Sequence, residues 1–426
     1  MKKWFVMILM SVLVMSTISV ALADSDGRGH KHGHHKKKHK KDFKLGVEVL
    51  LDDEKELIEG KNVGLITNPT GVDQELTSIV DLLHHDSDVN LTALYGPEHG
   101  VRGSAQAGEY VEYYTDEQTG LPVYSLYGET RKPSPEMLEG IDVLLFDIQD
   151  VGTRFYTYIY TMAYAMEAAE ENDIEFIVLD RPNPLGGEGV EGPVLNDEYS
   201  SFVGKYEIPL RHGMTVGELA KLFNHEFGIG ADLTVVEMED WDRDMYYDDT
   251  ELEWVLPSPN MPTFDTALVY PGAALIEGTN VSEGRGTTKP FELIGAPYIN
   301  SNELASELNH LNLPGVDFRA ASYTPSFSKH AGKLTHGVQI HVTDKEEFKP
   351  VITGLNLVKT IHDLYPENFE FRAENSSGVS FFDLLVGNGW IREAIEQGES
   401  VEDMQERWED DLKDFKRVRG NYLLYK

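Results

Sequence analysis

The 426-residue sequence contains no cysteine, and its basic residues are few. The first absence excludes disulfide bonds, thiolate metal sites and cysteine nucleophiles. The second is clear from the counts, since 37 lysines and arginines stand against 73 aspartates and glutamates, for a net charge of −36. A chain with this charge repels nucleic acid and anionic membranes, so neither is an expected partner of its acidic part.

Long apolar runs are also rare, and one stretch alone approaches the length of a membrane span. Two lysines precede the apolar residues 4–20, and the small residues Ala21 and Ala23 follow them. This order predicts a secretory signal peptide over residues 1–23, with no membrane span left after cleavage. An uncleaved membrane anchor is the alternative. We therefore expect a secreted, extracellular protein.

Positive charge is concentrated in one short segment, residues 24–44. Eight lysines and arginines against three aspartates give this segment +5, whereas residues 45–426 carry −43. The segment is rich in histidine and lysine and has no apolar periodicity, which predicts a disordered linker. We interpret it as a basic arm attracted to an anionic cell wall. Chelation of a transition metal by its histidines is the alternative.

Short apolar runs alternate with helical periodicity from residue 45 onward. The runs predicted to be strands are NVGLIT (62–67), NLTALY (90–95), IDVLLF (141–146) and EFIVL (175–179). Strands that alternate with helices in this way predict an α/β fold with a doubly wound, mostly parallel sheet. The proline-rich stretch 256–265 is expected to be a linker between two domains. Beyond it, GVQIHVT (337–343) alternates apolar and polar residues, as an antiparallel strand does.

Polar residues follow the predicted parallel strands at the point where each strand ends. They are Asn68, then Glu98 and His99, then Asp147, and then Asp180 and Asn183, with Arg154, Tyr156, Arg211 and His212 close behind. Because the carboxyl ends of parallel strands meet at one edge of a sheet, we expect these side chains to form a site there. The alternative is structural: a buried ion pair such as Asp147–Arg154, or helix capping.

A second polar group lies in the glycine-rich stretch EGTNVSEGRG (277–286). The spacing of its glycines fits neither a dinucleotide-binding loop nor a P-loop, and the chain has no G-x-S-x-G or H-E-x-x-H motif. What remains is carboxylates, arginine, asparagine, tyrosine and histidine, which suit hydrolysis of a hydroxyl-rich substrate without metal or redox cofactor. Glycoside cleavage needs a carboxylic acid to protonate the leaving oxygen and commonly a second carboxylate.

Several longer motifs carry a resemblance to a known family. LITNPTG, LYGPEHGVRG, FDIQDVGTRFYTYIYTM, SPNMPT and EGTN-SEGRGT resemble the exo-β-N-acetylmuramidase family of the NamZ type, glycoside hydrolase family 171, over residues 45–426. The resemblance implies a Rossmann-like catalytic domain (45–264), a smaller α+β domain (265–426) and an active-site cleft between them. It also implies release of terminal β-linked N-acetylmuramic acid from the non-reducing end of peptidoglycan fragments, in cell-wall turnover and recycling, with no cofactor.

The same resemblance gives the expected site. The predicted catalytic residues are Glu98, His99, Asp147, Glu277 and Glu283, and the predicted substrate-binding residues are Asn68, Arg154, Tyr156, Asp180, Asn183, Arg211, His212, Asn280 and Arg285. Glu98 is the expected general acid, and an arginine is expected to hold the lactyl carboxylate. Asp147, Glu277, Glu283 and the acetamido oxygen of the substrate remain alternatives for the second catalytic group.

Two other functions stay open at this point. One is an ester or amide hydrolase that acts on cell-wall material, although the chain shows no nucleophile or metal motif for it. The other is a surface protein that binds sugar without cleaving it. Substrate turnover separates the alternatives, because a binding protein would show saturable affinity and would release no sugar.

Overall fold

The computed structural model describes residues 43–103, 113–128 and 130–426. The predicted signal peptide and residues 24–42 of the predicted linker lie outside the described residues. Lys44, which was expected to be disordered, already belongs to the fold. Its backbone pairs with that of Glu239 through N–O distances of 3.2 and 3.0 Å, and its ammonium lies 2.9 Å from Asp53. The linker therefore ends before residue 44.

Strands and helices alternate along the first part of the chain, whereas the last four α-helices follow one another without a strand between them. The strands are β1 Asn62–Thr67, β2 Asn90–Gly96, β3 Tyr114–Thr115, β4 Pro122–Ser125, β5 Val143–Asp147, β6 Glu175–Leu179, β7 Glu191–Val194, β8 Pro209–Arg211, β9 Leu233–Val236, β10 Leu293–Ala296, β11 Val316–Tyr323 and β12 Thr335–Val342. The α-helices are α1 Gly46–Asp52, α2 Ile79–His85, α3 Tyr158–Glu171, α4 Val216–Glu226, α5 Phe264–Ala273, α6 Ser301–His310, α7 Pro350–Leu364, α8 Phe381–Val386, α9 Trp390–Glu396 and α10 Val401–Arg419. In the described ranges, every helix is too short or too polar to cross a bilayer.

The central sheet has seven strands in the order β3-β4-β2-β1-β5-β6-β9, and all neighbours are parallel except β3 and β4. Its strands are buried on both faces. In β5, Val143 and Leu145 belong to the hydrophobic cluster that includes residues of α1 and α2, whereas Leu144 and Phe146 belong to the cluster with α3 and α4. Helices therefore cover both faces, which confirms the doubly wound, mostly parallel sheet.

A smaller three-stranded sheet in the order β10-β12-β11 forms the second part of the fold. All its neighbours are antiparallel, which confirms the prediction for residues 337–343. The C-terminal segment then returns to the first part. Arg419 Nη1 donates to the carbonyls of Gly187 and Gly213 over 2.9 Å, and the Tyr425 hydroxyl donates to Asp180 over 2.6 Å. One hydrophobic cluster runs through both parts, and the boundary at residue 264 remains a prediction.

The start of α5 positions the second polar group of the sequence. The proline-containing stretch is irregular until Thr263, whose hydroxyl accepts the N–H of Thr266 over 3.3 Å and caps the helix. Helix α5 then continues into a 3₁₀ turn, Ala274–Gly278. This turn delivers Glu277 at the end of a rigid, buried element, close to the residues that follow β2.

Candidate active site

Asp147, at the end of β5, forms a buried ion pair with Arg181. Arg181 Nη2 donates to Asp147 Oδ2 over 2.9 Å, and its Nε donates to the other carboxylate oxygen. Burial raises the pKa of Asp147, and the charge of Arg181 opposes that shift. An ion pair at this edge was expected, but its partner is Arg181 and not Arg154. Because both carboxylate oxygens are bound and Asp147 is fully buried, the geometry argues against a catalytic role.

Asp180, after β6, is also fully buried and is surrounded by donors. It accepts hydrogen bonds from Thr215 Oγ1 (2.7 Å), the Gly217 N–H (2.8 Å) and the Tyr425 hydroxyl (2.6 Å). Burial raises the pKa of Asp180 to about 7, and these hydrogen bonds limit the rise. The side chain thus fastens the start of α4 and the C-terminal segment to the sheet, and it does not face a substrate.

Arg154 was expected to bind the substrate, but its guanidinium is fully buried and bound to backbone. Nη1 donates to the carbonyls of Pro193 and Ile208 over 3.1 Å, and Nη2 donates to that of Leu385 over 2.7 Å. Burial lowers the pKa of Arg154 to about 10. The contact with Leu385 joins the two parts of the fold, so the residue is structural in this geometry.

Arg211 is likewise enclosed. Its Nη1 lies 2.7 Å from Glu191 Oε1, its Nη2 donates to the carbonyl of Leu185 over 2.5 Å, and its side chain is only 7% exposed. The structure therefore argues against Arg154 and Arg211 as the arginines that hold a substrate carboxylate.

Two asparagines at the sheet edge stabilise turns. Asn68 Oδ1 accepts the N–H of Thr70 over 2.9 Å, and Asn183 Nδ2 donates to the carbonyl of Met214 over 2.9 Å. Both side chains are at least 97% buried. Their amides are used by the protein, which does not favour the substrate contacts predicted for them.

His212 and Asn280 also interact with the protein. His212 Nε2 lies 3.5 Å from Asp150 Oδ2, and both residues are buried. Asn280 Nδ2 donates to the carbonyl of Asn368 over 2.8 Å, and its Oδ1 accepts the Tyr298 hydroxyl over 3.0 Å. The asparagine of the EGTN motif therefore joins two loops of the smaller part of the fold.

Glu98 stands in a different environment, in the turn that follows β2. The Gly100 N–H donates to the carbonyl of Pro97 over 2.9 Å, and His99 has a φ of 75°, in the left-handed region that side chains rarely adopt. This tight turn buries His99 and leaves Glu98 half-buried. The Thr157 hydroxyl donates to Glu98 Oε2 over 3.1 Å. Glu98 is therefore held in place while its carboxyl group stays at the surface of the fold.

Tyrosines surround Glu98. Burial raises the pKa of Tyr127 to about 12, and the negative charge of Glu98 and a hydrogen bond with Glu98 contribute to this rise. The ring of Tyr156 packs edge-on against Tyr158 and Tyr270, with centroid distances of 5.0 and 5.7 Å. Burial raises the pKa of Tyr156, and the charge of Glu98 adds to the shift. These phenols are neutral over the physiological pH range and can donate hydrogen bonds.

The EGTNVSEGRG stretch forms a cluster of opposite charges. Arg285 Nη2 lies 3.0 Å from Glu277 Oε1, Arg285 Nε lies 3.4 Å from Glu283 Oε1, and Lys329 Nζ lies 3.1 Å from Glu283 Oε2. Burial raises the pKa of Glu277, and the positive charge of Arg285 opposes this shift. We call these four residues the Glu277 cluster. Within it, Glu283 is buried, whereas the Glu277 side chain is 21% exposed.

Tyr270, on α5, connects the two groups. Burial is the main cause of the raised pKa of this phenol. The charges of Glu277 and Glu98 raise it further, and the charge of Arg285 opposes them. The charge of Glu98 also reaches Arg285, whose pKa it raises. The charges of carboxylates from distant parts of the sequence therefore act on one tyrosine. The structure thus brings together five of the predicted residues, with His99 beside them, namely Glu98, Tyr156, Glu277, Glu283 and Arg285.

Four residues of this site were absent from the predicted set, and Tyr127, which is hydrogen-bonded to Glu98, is one of them. Thr157 directly follows Tyr156 in the FYTYIYTM motif, so that motif held a signal that could have identified it. Tyr270 stands in an apolar run and has the pattern of an ordinary core residue. Lys329 lies far downstream in a segment without a recognisable motif, and nothing in the sequence indicates that its ammonium reaches Glu283.

The arrangement offers acid–base chemistry. Glu98 and Glu277 supply two partly exposed carboxyl groups, and the half-buried Tyr127 beside Glu98 supplies a hydroxyl that can contact a sugar. This set matches what glycosidic hydrolysis requires. Within the described residues, no group of three or more His, Cys, Asp or Glu is arranged to hold a metal ion.

Known proteins are similar to this chain in sequence and in fold. Residues 63–265 match the family model described as exo-beta-N-acetylmuramidase NamZ, N-terminal, and residues 268–425 match the C-terminal model of the same family. The chain is 59% identical over 425 residues to the peptidoglycan beta-N-acetylmuramidase NamZ of Bacillus subtilis (strain 168), and the match covers 100% of both chains.

Two solved structures are also similar, both of DUF1343 family proteins from Bacteroides fragilis NCTC 9343. The first has a TM-score of 0.83 and 45% identity, and the match covers 90% of this chain and 99% of the other. The second has a TM-score of 0.75 and 34% identity, with 91% and 99% covered.

Proposed function

The chain belongs to the exo-β-N-acetylmuramidase family NamZ, and on this premise we propose that it is a glycosidase that releases N-acetylmuramic acid from the non-reducing ends of peptidoglycan fragments. The relative from Bacillus subtilis is named for β-N-acetylmuramidase activity on peptidoglycan, and it matches this chain from end to end. The observation that carries the proposal is that two of the candidate carboxyl groups, Glu98 and Glu277, keep part of their side chains exposed, whereas the other candidates are buried.

In this proposal Glu98 is the general acid. Its carboxyl group protonates the glycosidic oxygen as the bond to the leaving sugar breaks. Thr157 fixes the orientation of the carboxyl group. The tight turn at His99 restricts the backbone before the substrate binds, so less conformational entropy is lost on reaching the transition state. Tyr127, which is half-buried and hydrogen-bonded to Glu98, supplies a ring face and a hydroxyl that a pyranose ring can reach.

Glu277 is the second catalytic group in this proposal. Of the three carboxylates predicted for that role, Asp147 and Glu283 are almost completely buried, whereas Glu277 keeps part of its side chain exposed. Arg285, 3.0 Å away, favours the ionised form of Glu277, which suits stabilisation of a positively charged sugar. The acetamido oxygen of the substrate remains the alternative nucleophile.

Turnover of a defined disaccharide tests the function. The protein is incubated with MurNAc-β-1,4-GlcNAc, and with a chromogenic β-muramide, in the presence of EDTA. We expect free N-acetylmuramic acid. Release of peptide or of acyl groups instead would indicate an amide or ester hydrolase, and saturable binding without release would indicate a sugar-binding protein. Activity that is lost in EDTA and restored by zinc would contradict the metal-free mechanism.

Specificity gives a second criterion. N-acetylmuramic acid differs from N-acetylglucosamine by a lactyl ether whose carboxylate is ionised at neutral pH. A site that pairs this charge rejects the analogue that lacks it, because its own cation is left unpaired. We expect the β-N-acetylglucosaminide to be cleaved at least about 100-fold less efficiently, or about 2.7 kcal/mol. Similar kcat/KM values for the two sugars would contradict a muramidase.

Secretion and attachment to the cell wall complete the proposal. They are supported by the signal-peptide pattern and by the basic segment, both of which precede the acidic fold. Deletion of residues 24–42 should leave kcat on the soluble disaccharide unchanged and should reduce retention on isolated cell wall, more at low salt than at high salt. Equal retention with and without the segment would rule out this role. Cell-wall turnover and recycling is the process that such an enzyme would serve.

A further inference from the structure

The proposed substrate carries a carboxylate, yet the arginines predicted to bind it are already engaged. Arg154 donates to three carbonyls, Arg211 pairs with Glu191, and Arg285 lies between two glutamates. A chain with −43 over residues 45–426 would repel an anion unless a local cation compensates. None of these three arginines can bind the substrate carboxylate without giving up or sharing a contact with the protein.

Arg372 is attached to the backbone of the EGTN motif. Its N–H donates to the carbonyl of Gly278 over 2.8 Å, and the neighbouring Phe371 forms a β-bridge with Thr279. The backbone of Arg372 is thus fixed beside the residue that directly follows Glu277. Its positive charge acts on Glu277, where it opposes the rise in pKa caused by burial.

The Arg372 side chain is exposed, and its guanidinium carbon lies 5.0 Å from the centre of the Phe381 ring. Among the described residues, no carboxylate lies within ion-pair distance of it. The side chain lines a surface cleft of about 380 Å³ whose walls include Phe371, Arg392 and the glutamates Glu370, Glu374 and Glu396. This cleft is large enough for a carboxylate and a sugar substituent.

The other cations near this cleft are engaged. Arg392 Nε lies 2.9 Å from Asp383 Oδ1. Lys329 Nζ donates to the carbonyls of Ile276 and Val281 and also contacts Glu283. Arg372 therefore differs from both in having a guanidinium that an incoming anion can reach without displacing a protein carboxylate.

We propose that Arg372 binds the lactyl carboxylate of the terminal N-acetylmuramic acid and so determines the preference for this sugar. The inference rests on the proposed function and adds the residue that recognises the substrate. A guanidinium is suited to the task because its fork of N–H donors matches the two oxygens of a carboxylate. The contact with the Phe381 ring restricts the Arg372 side chain before the substrate binds, so less side-chain entropy is lost on binding.

The test compares three variants, R372A, R372K and the control R319A, on a chromogenic β-muramide, its neutral lactyl-amide analogue and the β-N-acetylglucosaminide. Arg319 is an exposed arginine on β11 that donates to Gln339, away from the site. For R372A we expect kcat/KM on the muramide to fall about tenfold to 100-fold, as loss of a hydrogen-bonded charge predicts, and we expect less than about threefold change on the two neutral substrates.

R372K should recover part of the muramide activity, because it restores the charge without the fork, and R319A should match the wild type on all three substrates. Equal losses of R372A on charged and neutral substrates, or full activity on the muramide, would overturn the proposal. Circular dichroism and the melting temperature identify a variant that fails to fold, and R372K then decides the question. If the wild type itself does not cleave the muramide, the proposed function fails instead.

Discussion

Two polar regions of the molecule contain the same residue types and differ in exposure. At the edge of the large sheet, Asp147, Asp180 and Arg154 are fully buried, and protein groups satisfy them. Around Tyr270, by contrast, Glu98 and Glu277 come from distant parts of the chain, are partly exposed, and both act on the pKa of that phenol. The first region holds the fold together, and the second has the carboxyl groups that a substrate can reach.

The difference follows from the cost of burying charge. Removal of an ion from water costs several kcal/mol, which only a matched partner or several hydrogen bonds offset. A charge that is fully offset inside the protein has little to gain from a ligand. A catalytic carboxyl group must stay accessible, so it is found where burial is incomplete. Exposure thus separates the two regions where residue type does not.

The largest expected effect is at Glu98. Glu98→Gln keeps the shape of the side chain and its contact with Thr157 but removes the proton that the leaving oxygen needs. We expect kcat on the disaccharide to fall about 100- to 10,000-fold, with the melting temperature nearly unchanged. Steady-state kinetics and thermal unfolding measure the two quantities.

The matched control for this change is Glu198→Gln, at an exposed glutamate outside the site, which should behave as the wild type. A substrate with a better leaving group needs less protonation, so the variant should lose less activity on it. A fall in kcat of less than about tenfold on the disaccharide would exclude Glu98 as the acid and would weaken the functional distinction between the region around Tyr270 and the sheet edge.

The second effect is on stability. Arg181→Met removes the partner of Asp147 and leaves a buried carboxylate without a counter-charge, which should cost about 3–5 kcal/mol of unfolding free energy. The double variant Asp147→Asn, Arg181→Met should recover much of this loss, because no buried ion is then unpaired. Denaturant unfolding measures both values.

The activity of each variant, measured per folded molecule, distinguishes a loss of stability from a loss of catalysis. The double variant should keep kcat within a few-fold of the wild type at a temperature where it is folded. A loss of kcat comparable to that of Glu98→Gln, in a folded protein, would show that the sheet edge takes part in the reaction and would remove the distinction between the two regions.

The sequence was sufficient for the fold because its signals are local. Strands β1 and β6 occupy the predicted ranges, and a local capping box, Thr215 with Glu218, begins α4. The site was harder to predict. Glu98 and Glu277 lie in motifs that could be read from the sequence, but whether a polar residue is buried depends on which segments pack over it.

Arg154 shows why burial could not be predicted. In sequence it is an arginine in a motif next to a strand end, which suits substrate binding. In the fold it is covered by segments that include Pro193 and Leu385, the latter 231 residues away. A contact at that separation leaves no periodic signal in the sequence. The same holds for Lys329, which reaches Glu283 from a segment with no motif.

The last expected effect concerns the pH dependence of stability. Burial raises the pKa of Asp180 to about 7, whereas an aspartate in an unfolded chain has a pKa of about 3.9. Between these values the folded protein keeps a proton that the unfolded chain has released. The free energy of unfolding should therefore fall as the pH rises from about 4 to about 7. The contribution is largest at the acidic end of this window and is lost as the pH passes the folded pKa.

The variant Asp180→Asn isolates this contribution, because an amide does not titrate. The difference in unfolding free energy between wild type and variant should decrease with rising pH across the window. Asp197→Asn, at an exposed aspartate, should show no such trend. If the difference is constant with pH, then Thr215, Gly217 and Tyr425 stabilise the Asp180 carboxylate enough to keep it ionised. The sheet edge would then hold a buried, ionised carboxylate, and accessibility alone would distinguish it from the region around Glu98 and Glu277.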